Sequence, residues 1–319
     1  MQQFILLLCI LLLVGCKTPI NSTIETKLPE MKQQAYLSHA KPARHFGYQV
    51  FPISNNEIGM RGNARLHPNH RAVVAMKKNK IPVIEIAGRN YRNPAPALID
   101  TSSPDSWMEF SYSQTINTDF LSFRERNFPY RGKYNTGGVP AYAAIAYQLR
   151  IGQLFIENMP LYIRMATGSL GMQARNVQFP AIRTVIGYDL LKLFSYVQFN
   201  FINGTIDFNT MHPFTPNEKW LLAKTSIIDK QGEGLVIEGA LFGEKTPFVL
   251  DLAGDYHLAH ANANDPTTRQ ISVGELVFRK VPQTTLPPQV LPRLGRYLFT
   301  DLIITICPKT GTVYFERPQ

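Results

Sequence analysis

In "ALIDTSSPDSW", residues 97–107, a short apolar run ends in an aspartate that is followed by hydroxyl side chains. A carboxylate at the end of an apolar run is costly to bury unless another group pairs with it or hydrogen-bonds to it. Asp100 therefore predicts a functional site. Acid–base chemistry between two carboxylates would require a second aspartate elsewhere in the chain.

The same pattern returns in the second half of the chain. Three blocks recur in the same order: "PVIEIAGRNYRNPAPALIDTSS" (82–103) with "LVIEGALFGEKTPFVLDLAG" (235–254), "LRIGQLFIENMP" (149–160) with "ISVGELVFRKVP" (271–282), and "VIGYDLLKLFSYVQFNFINGTIDF" (185–208) with "RLGRYLFTDLIITICPKTGTVYF" (293–315). This order predicts a tandem duplication. Asp251 is then the partner of Asp100.

The runs between turn residues are short and rich in β-branched and aromatic side chains, which predicts an all-β protein with few short helices. Together with the duplication, this gives two tandem β-barrel lobes, one over residues 46–215 and a reduced one over 216–319. The extra length of the first lobe includes the Gly- and Tyr-rich stretch "RNFPYRGKYNTGGVPAY" (126–142). That composition predicts a flap around 124–145, with Tyr130 and Tyr134 as candidate tip residues.

The first sixteen residues contain an apolar run of signal-peptide length, "FILLLCILLLVGC" (4–16). Its end, "LVGC", resembles the bacterial lipobox, which implies a lipoprotein signal peptide over 1–16 and a lipid anchor carrying palmitate-type chains on Cys16. An ordinary signal peptide with a chance cysteine is the alternative. The polar residues 17–45 are predicted to tether the fold to the membrane. Lys17 is not an inner-membrane retention signal, so we expect an outer-membrane location facing the periplasm.

The net charge of +10 is spread over a chain of which only 18% is charged. No dense Lys/Arg run with interleaved aromatics occurs, so nucleic acid is not an expected partner. Anionic lipid, a cell-wall polymer, or no specific partner remain open. Cys307 would be alone after signal cleavage, so we expect no intrachain disulfide, and we expect a monomer.

The paired motifs "LIDTSS" with "VIG", and "VLDLAG" with "RLG", resemble those of aspartic proteases, specifically retropepsin-like halves joined in a pepsin-like bilobal chain. The resemblance covers about residues 80–317 and is stronger in the first half. It implies that Asp100 and Asp251 are catalytic and that Thr101 bonds across the lobe interface. It also makes Ser102 the small residue and Ser103 a hydroxyl able to bond Asp100.

The second motif departs from the family pattern. Ala253 is small as expected, but Leu252 stands where a threonine is usual, and Gly254 offers no hydroxyl. One side of the lock between the lobes is therefore expected to be lost.

The function implied is an aspartic-type endopeptidase that hydrolyses peptide or protein substrates through a water activated by both aspartates, with no metal or cofactor. "HLAH" (257–260) has no cysteine or carboxylate arranged for zinc. Two alternatives stay open. A catalytically decayed protease fold would serve as an envelope lipoprotein that binds peptides or polymers, and the aspartates could also be turn or cap residues.

Lipidation gives the first testable prediction. Mass spectrometry of the mature N-terminus should show a diacylglyceryl group on Cys16, because the short apolar run ends at that cysteine. A mature chain that starts at another residue, or a protein that salt alone releases from membranes, would contradict it.

Overall fold

The computed structural model describes residues 26–318, except 55–56, 63, 68–69, 78–79, 90–91, 123–138, 171–181, 262–266 and 288–289, and except the side chains of 52–54, 57–58 and 267–269. Within this part of the chain there are three helices, α1 Glu30–Leu37, α2 Phe110–Thr115 and α3 Tyr188–Leu191. Two short 3-10 helices, Ala43–Phe46 and Arg296–Leu298, are also present, and the remaining regular structure is β.

The strands are, in chain order, β1 Thr26–Lys27, β2 Lys41–Pro42, β3 Gln49–Ser54, β4 Glu57–Arg61, β5 Arg65–Leu66, β6 Arg71–Ala75, β7 Val83–Ala87, β8 Ala95–Ile99, β9 Trp107–Glu109, β10 Thr118–Ser122, β11 Ala141–Ile151, β12 Leu154–Arg164, β13 Ala166–Thr167, β14 Thr184–Ile186, β15 Tyr196–Asn200, β16 Thr205–Asn209, β17 Leu221–Ile228, β18 Val236–Leu241, β19 Glu244–Asp251, β20 Leu258–His260, β21 Thr267–Val273, β22 Leu276–Thr285, β23 Arg293–Gly295, β24 Ile303–Cys307 and β25 Thr312–Glu316.

Six strands close the first barrel in the order β7-β8-β14-β9-β12-β11, with β11 returning to β7. Closure removes the unpaired edges that an open sheet would leave exposed. Ile84, Ala97 and Ile145 are fully buried in this lobe, as the apolar runs of its strands predict. The all-β prediction with two barrel lobes is confirmed in this half.

The second barrel repeats the first strand for strand, in the order β18-β19-β23-β20-β22-β21, with β21 returning to β18. Both barrels contain the same two parallel pairs, β8–β14 and β9–β12 in the first, β19–β23 and β20–β22 in the second. The second lobe passes from β20 to β21 where the first inserts α2, β10 and the segment 123–138. The second lobe is therefore the shorter one, as predicted from the spacing.

A six-stranded sheet joins the lobes in the order β6-β16-β15-β24-β25-β17. Its central pair is β15–β24, with one strand from each half. The strand order is therefore symmetric about this pair: β6, β16 and β15 correspond to β17, β25 and β24. Gly204 and Gly311 occupy the two hairpin turns with φ of +66° and +65°, a conformation that favours glycine. The equal turns support the predicted duplication.

The predicted tether is wrong from residue 26 onward. Thr26–Lys27 pairs with β13, α1 buries Leu37 in the main core, and β2 pairs with β10. The Tyr48 hydroxyl donates to the Asn158 carbonyl over 3.0 Å. The sequence of this segment did not predict its packing, because few of its residues are apolar. It packs against a barrel formed by other residues rather than forming a core of its own. Residues 17–25 lie outside the described part.

None of the described helices is long and apolar enough to cross a membrane. Cys307 is a free, buried cysteine in β24, and burial raises the pKa of its thiol to about 12. The thiol is therefore neutral at physiological pH and acts as a core side chain.

The joining sheet gives a stability prediction. Phe199→Ala in β15 should lower the free energy of unfolding by about 3–5 kcal/mol, because its fully buried ring would leave a cavity. Val73→Ala in β6 is the control; this residue is 57% exposed and should change stability by less than about 0.5 kcal/mol. Urea unfolding of both variants measures the difference. Equal losses would show that the Phe199 ring is not packed in the core.

Candidate functional site

The two aspartates occupy equivalent places in the two barrels. In the first, β8 pairs with β14 up to Ile99, so Asp100 comes level with Gly187. In the second, Asp251 pairs directly with Gly295 across β19 and β23. The duplication therefore delivers each carboxylate at the same end of the same parallel strand pair.

Thr101 connects the two aspartate loops. Its hydroxyl donates to the Leu250 carbonyl over 2.5 Å and accepts from the Leu252 N–H over 3.0 Å. These two groups flank Asp251 in sequence. One hydroxyl of the first lobe thus fixes the second lobe's backbone on both sides of its aspartate.

The backbones of the lobes also touch at this junction. The Leu235 N–H donates to the Thr101 carbonyl over 2.7 Å. A Cβ on Gly234 would overlap the Thr101 carbonyl and would lie 2.5 Å from the Ser102 carbonyl carbon. Glycine is therefore required at 234 for the lobes to approach this closely.

Asp100 is partly exposed, and its Oδ1 atom accepts two bonds from Ser102, one from the N–H at 2.9 Å and one from the hydroxyl at 2.7 Å. The expectation that Ser103 bonds Asp100 is wrong. The Ser103 hydroxyl donates instead to the Asp105 carbonyl over 2.6 Å, because the turn after Asp100 directs it away from the carboxylate.

Asp251 lies in a different environment, with only 1% of its surface exposed. Its Oδ2 atom accepts a short hydrogen bond from the Tyr256 hydroxyl, and Arg293 Nη1 lies 3.9 Å from the same oxygen. The positive charge of Arg293 favours the ionised form of this carboxylate. Neither Tyr256 nor Arg293 was singled out from the sequence. The repeat aligns Tyr256 with Asp105 and Arg293 with Val185. Because the aligned residues differ in chemistry, the repeat did not mark Tyr256 or Arg293 as functional.

Leu252 and Ala253 do not take part in polar contacts through their side chains. Leu252 is fully buried in the main core, and Ala253 is buried in a second apolar cluster that also contains Leu98 and Trp107 of the first lobe. Thr101 bonds the backbone N–H of residue 252, so this side of the lock forms without a threonine there. What the leucine removes is only the reciprocal hydroxyl.

Cys16 and the flap candidates Tyr130 and Tyr134 lie outside the described residues. The flanking strands β10 and β11 are antiparallel neighbours, with Phe120 opposite Ala144.

Asp189 accepts hydrogen bonds from Ser106, in the loop that follows Asp100. It was also not singled out from the sequence. The Ser106 hydroxyl donates to Asp189 Oδ1 over 2.7 Å and, in turn, accepts from the Gly187 N–H over 3.0 Å. The carboxyl group lines a cavity of about 820 Å³ that also includes residues 228–234 of the second half. Burial, followed by the nearby Asp105 carboxylate, raises the pKa of Asp189 to about 7.

The described residues contain no group of three or more His, Cys, Asp and Glu side chains that could hold a metal ion. No protein-family model matches the chain, and no curated protein matches it. The arrangement therefore has to be interpreted from its own chemistry: two carboxylates, one hydroxyl between their loops, and one cation beside the more buried carboxylate.

The raised pKa of Asp189 gives a prediction about stability and pH. An acid whose folded pKa exceeds its unfolded value destabilises the fold as pH rises from about 4 to about 7, because ionisation is then easier in the unfolded chain. Asp189→Asn should therefore stabilise the protein at pH 8 by about 2 kcal/mol, roughly half of the full linkage value since the carboxyl group is partly exposed. At pH 4 it should have little effect.

Thermal unfolding at both pH values measures this, with the exposed Asp301→Asn as control. A stability gain that is the same at pH 4 and pH 8 would show that Asp189 titration is not its cause.

Proposed function

We propose that the protein is an aspartic-type endopeptidase that hydrolyses peptide bonds with a water activated by Asp100 and Asp251. The observation that carries the proposal is the Thr101 hydroxyl, which bonds on both sides of Asp251 and so holds two equivalent aspartate loops against each other. The resemblance of the paired motifs to those of aspartic proteases supports the same chemistry.

The different surroundings of Asp100 and Asp251 suggest different roles in proton transfer. Asp251 is assigned the role of base, because Arg293 and the Tyr256 hydroxyl can both stabilise a negative charge on it. Asp100 is assigned the role of proton donor; within the described part of the chain only Ser102 bonds its carboxyl group, at Oδ1. Oδ2 of Asp100 is then able to hold a proton and donate it.

The reaction follows from this assignment. Asp251 takes a proton from water as the water oxygen attacks the peptide carbonyl carbon, and Asp100 donates its proton to the carbonyl oxygen. Collapse of the tetrahedral diol returns one hydroxyl proton to Asp100. The C–N bond breaks, and the leaving nitrogen takes the proton held by Asp251. Both carboxyl groups end in their starting states, and no metal or cofactor is needed.

The substrate is an extended peptide, and we place the enzyme in the bacterial envelope, anchored by lipid on Cys16. The β10–β11 hairpin belongs to the first lobe alone, so a single flap would cover the peptide. The predicted Tyr130 and Tyr134 would belong to that flap.

A second candidate is a decayed protease fold that binds peptides or polymers without cleaving them. The observation in its favour is that Asp251 is 1% exposed and has Oδ2 occupied by Tyr256. A carboxylate held by protein groups is less available to a water molecule.

The test uses lipid-free protein that begins after Cys16, incubated with a diverse peptide pool between about pH 3 and 7. Asp100→Asn and Asp251→Asn should each reduce kcat/KM by at least about a thousandfold, and the double variant should lose little more, because the two groups act as one unit. The matched control is Asp301→Asn, an exposed aspartate paired with Arg317 that should leave cleavage unchanged. The proposal is wrong if the wild type binds peptides without cleaving them and Asp100→Asn leaves the Kd unchanged. The protein would then be a peptide-binding module.

A further inference from the structure

The two lobes hold their aspartates with hydroxyl groups from different positions. In the first lobe the donor is Ser102, two residues after Asp100. In the second lobe the residue two after the aspartate is Ala253, which has no hydroxyl. The donor there is Tyr256, five residues after Asp251.

Position 256 corresponds to position 105 in the first lobe. A Cβ on Gly187 would overlap the Asp105 carbonyl, and a Cβ on Gly295 would overlap the Tyr256 carbonyl. The two residues thus pack in the same way against the neighbouring parallel strand, but only Tyr256 extends its side chain to the aspartate of its own lobe.

Glycine on two sides makes room for the Tyr256 ring. A Cβ on Gly254 would come within 2.6 Å of Tyr256 Cε1, and one on Gly295 within 2.6 Å of Tyr256 Cδ2. The loop is also fixed by its backbone, since the Arg296 N–H donates to the Gly254 carbonyl over 3.0 Å and the Gly295 N–H to the His257 carbonyl over 2.8 Å. The ring therefore has one defined position, with its hydroxyl at Asp251.

We propose that Tyr256 is a positioning residue that replaces, in the second lobe, the hydroxyl that Ser102 supplies in the first, and that keeps Asp251 ionised and correctly oriented. Its catalytic consequence rests on the proposed function, while its effect on the carboxylate does not. The absence of a hydroxyl at Ala253 and Gly254 is then compensated rather than disabling.

The experiment compares Tyr256→Phe with Tyr256→Phe/Ala253→Ser. The single variant keeps the ring and removes the hydroxyl. It should lower kcat about 10- to 100-fold with little change in KM, as expected for loss of a hydrogen bond to a charged group, and should move the acid limb of the pH–rate profile toward higher pH. The double variant places a hydroxyl where Ser102 stands in the first lobe and should recover most of the loss. Tyr297→Phe, which removes a partly exposed hydroxyl on the adjacent turn, is the matched control and should behave as wild type.

A second measurement does not require activity. Tyr256→Phe should be less stable than wild type at pH 7, where Asp251 is ionised, and the difference should shrink at pH 3; the added serine should restore the pH 7 value. If the wild type cleaves no peptide but these stability differences appear, the proposed function fails and the role of Tyr256 stands. If Tyr256→Phe lowers neither kcat nor the pH 7 stability, the role assigned to the Tyr256 hydroxyl is wrong.

Discussion

The arrangement depends on one buried hydroxyl. Thr101 has no exposed surface, and its hydroxyl is satisfied by two backbone groups of the other lobe, the Leu250 carbonyl and the Leu252 N–H. Leaving those groups unpaired in an apolar junction would cost about 1–3 kcal/mol each. Because both partners are backbone atoms, the bond does not require a threonine at position 252. The junction can therefore hold with an apolar core residue there.

The halves differ where packing does not constrain them. Barrel strands and the joining sheet keep the same order and register in both lobes, because a one-residue slip would turn every buried side chain toward solvent. Loops carry no such constraint and have diverged. The first lobe has α2, β10 and the 123–138 segment between β9 and β11, where the second lobe has only residues 261–266 between β20 and β21. The predicted flap belongs to the half with the longer insertion.

The fold was largely predictable from the sequence because repeated blocks preserve spacing. The parallel pairing of Asp251 with Gly295, and the matching level of Asp100 with Gly187, follow from two short motifs at a fixed order. Side-chain donors were not predictable in the same way. Which hydroxyl reaches a carboxylate depends on turn geometry, so Ser103 was expected where Ser102 bonds. The packing of residues 26–45 was missed because their few apolar residues dock onto a barrel formed elsewhere.

The second site shows why the two aspartates cannot be treated as equals. Their backbones occupy matching positions, so their surroundings differ only in the neighbouring side chains and in burial, with Asp251 1% exposed and Asp100 partly exposed. Arg293 stands where the first lobe has Val185, and its Nη1 atom lies 3.9 Å from Asp251 Oδ2. The pair is therefore symmetric in its backbone and asymmetric in its side chains: a cation and a tyrosine hydroxyl lie beside the buried aspartate, and a serine lies beside the partly exposed one.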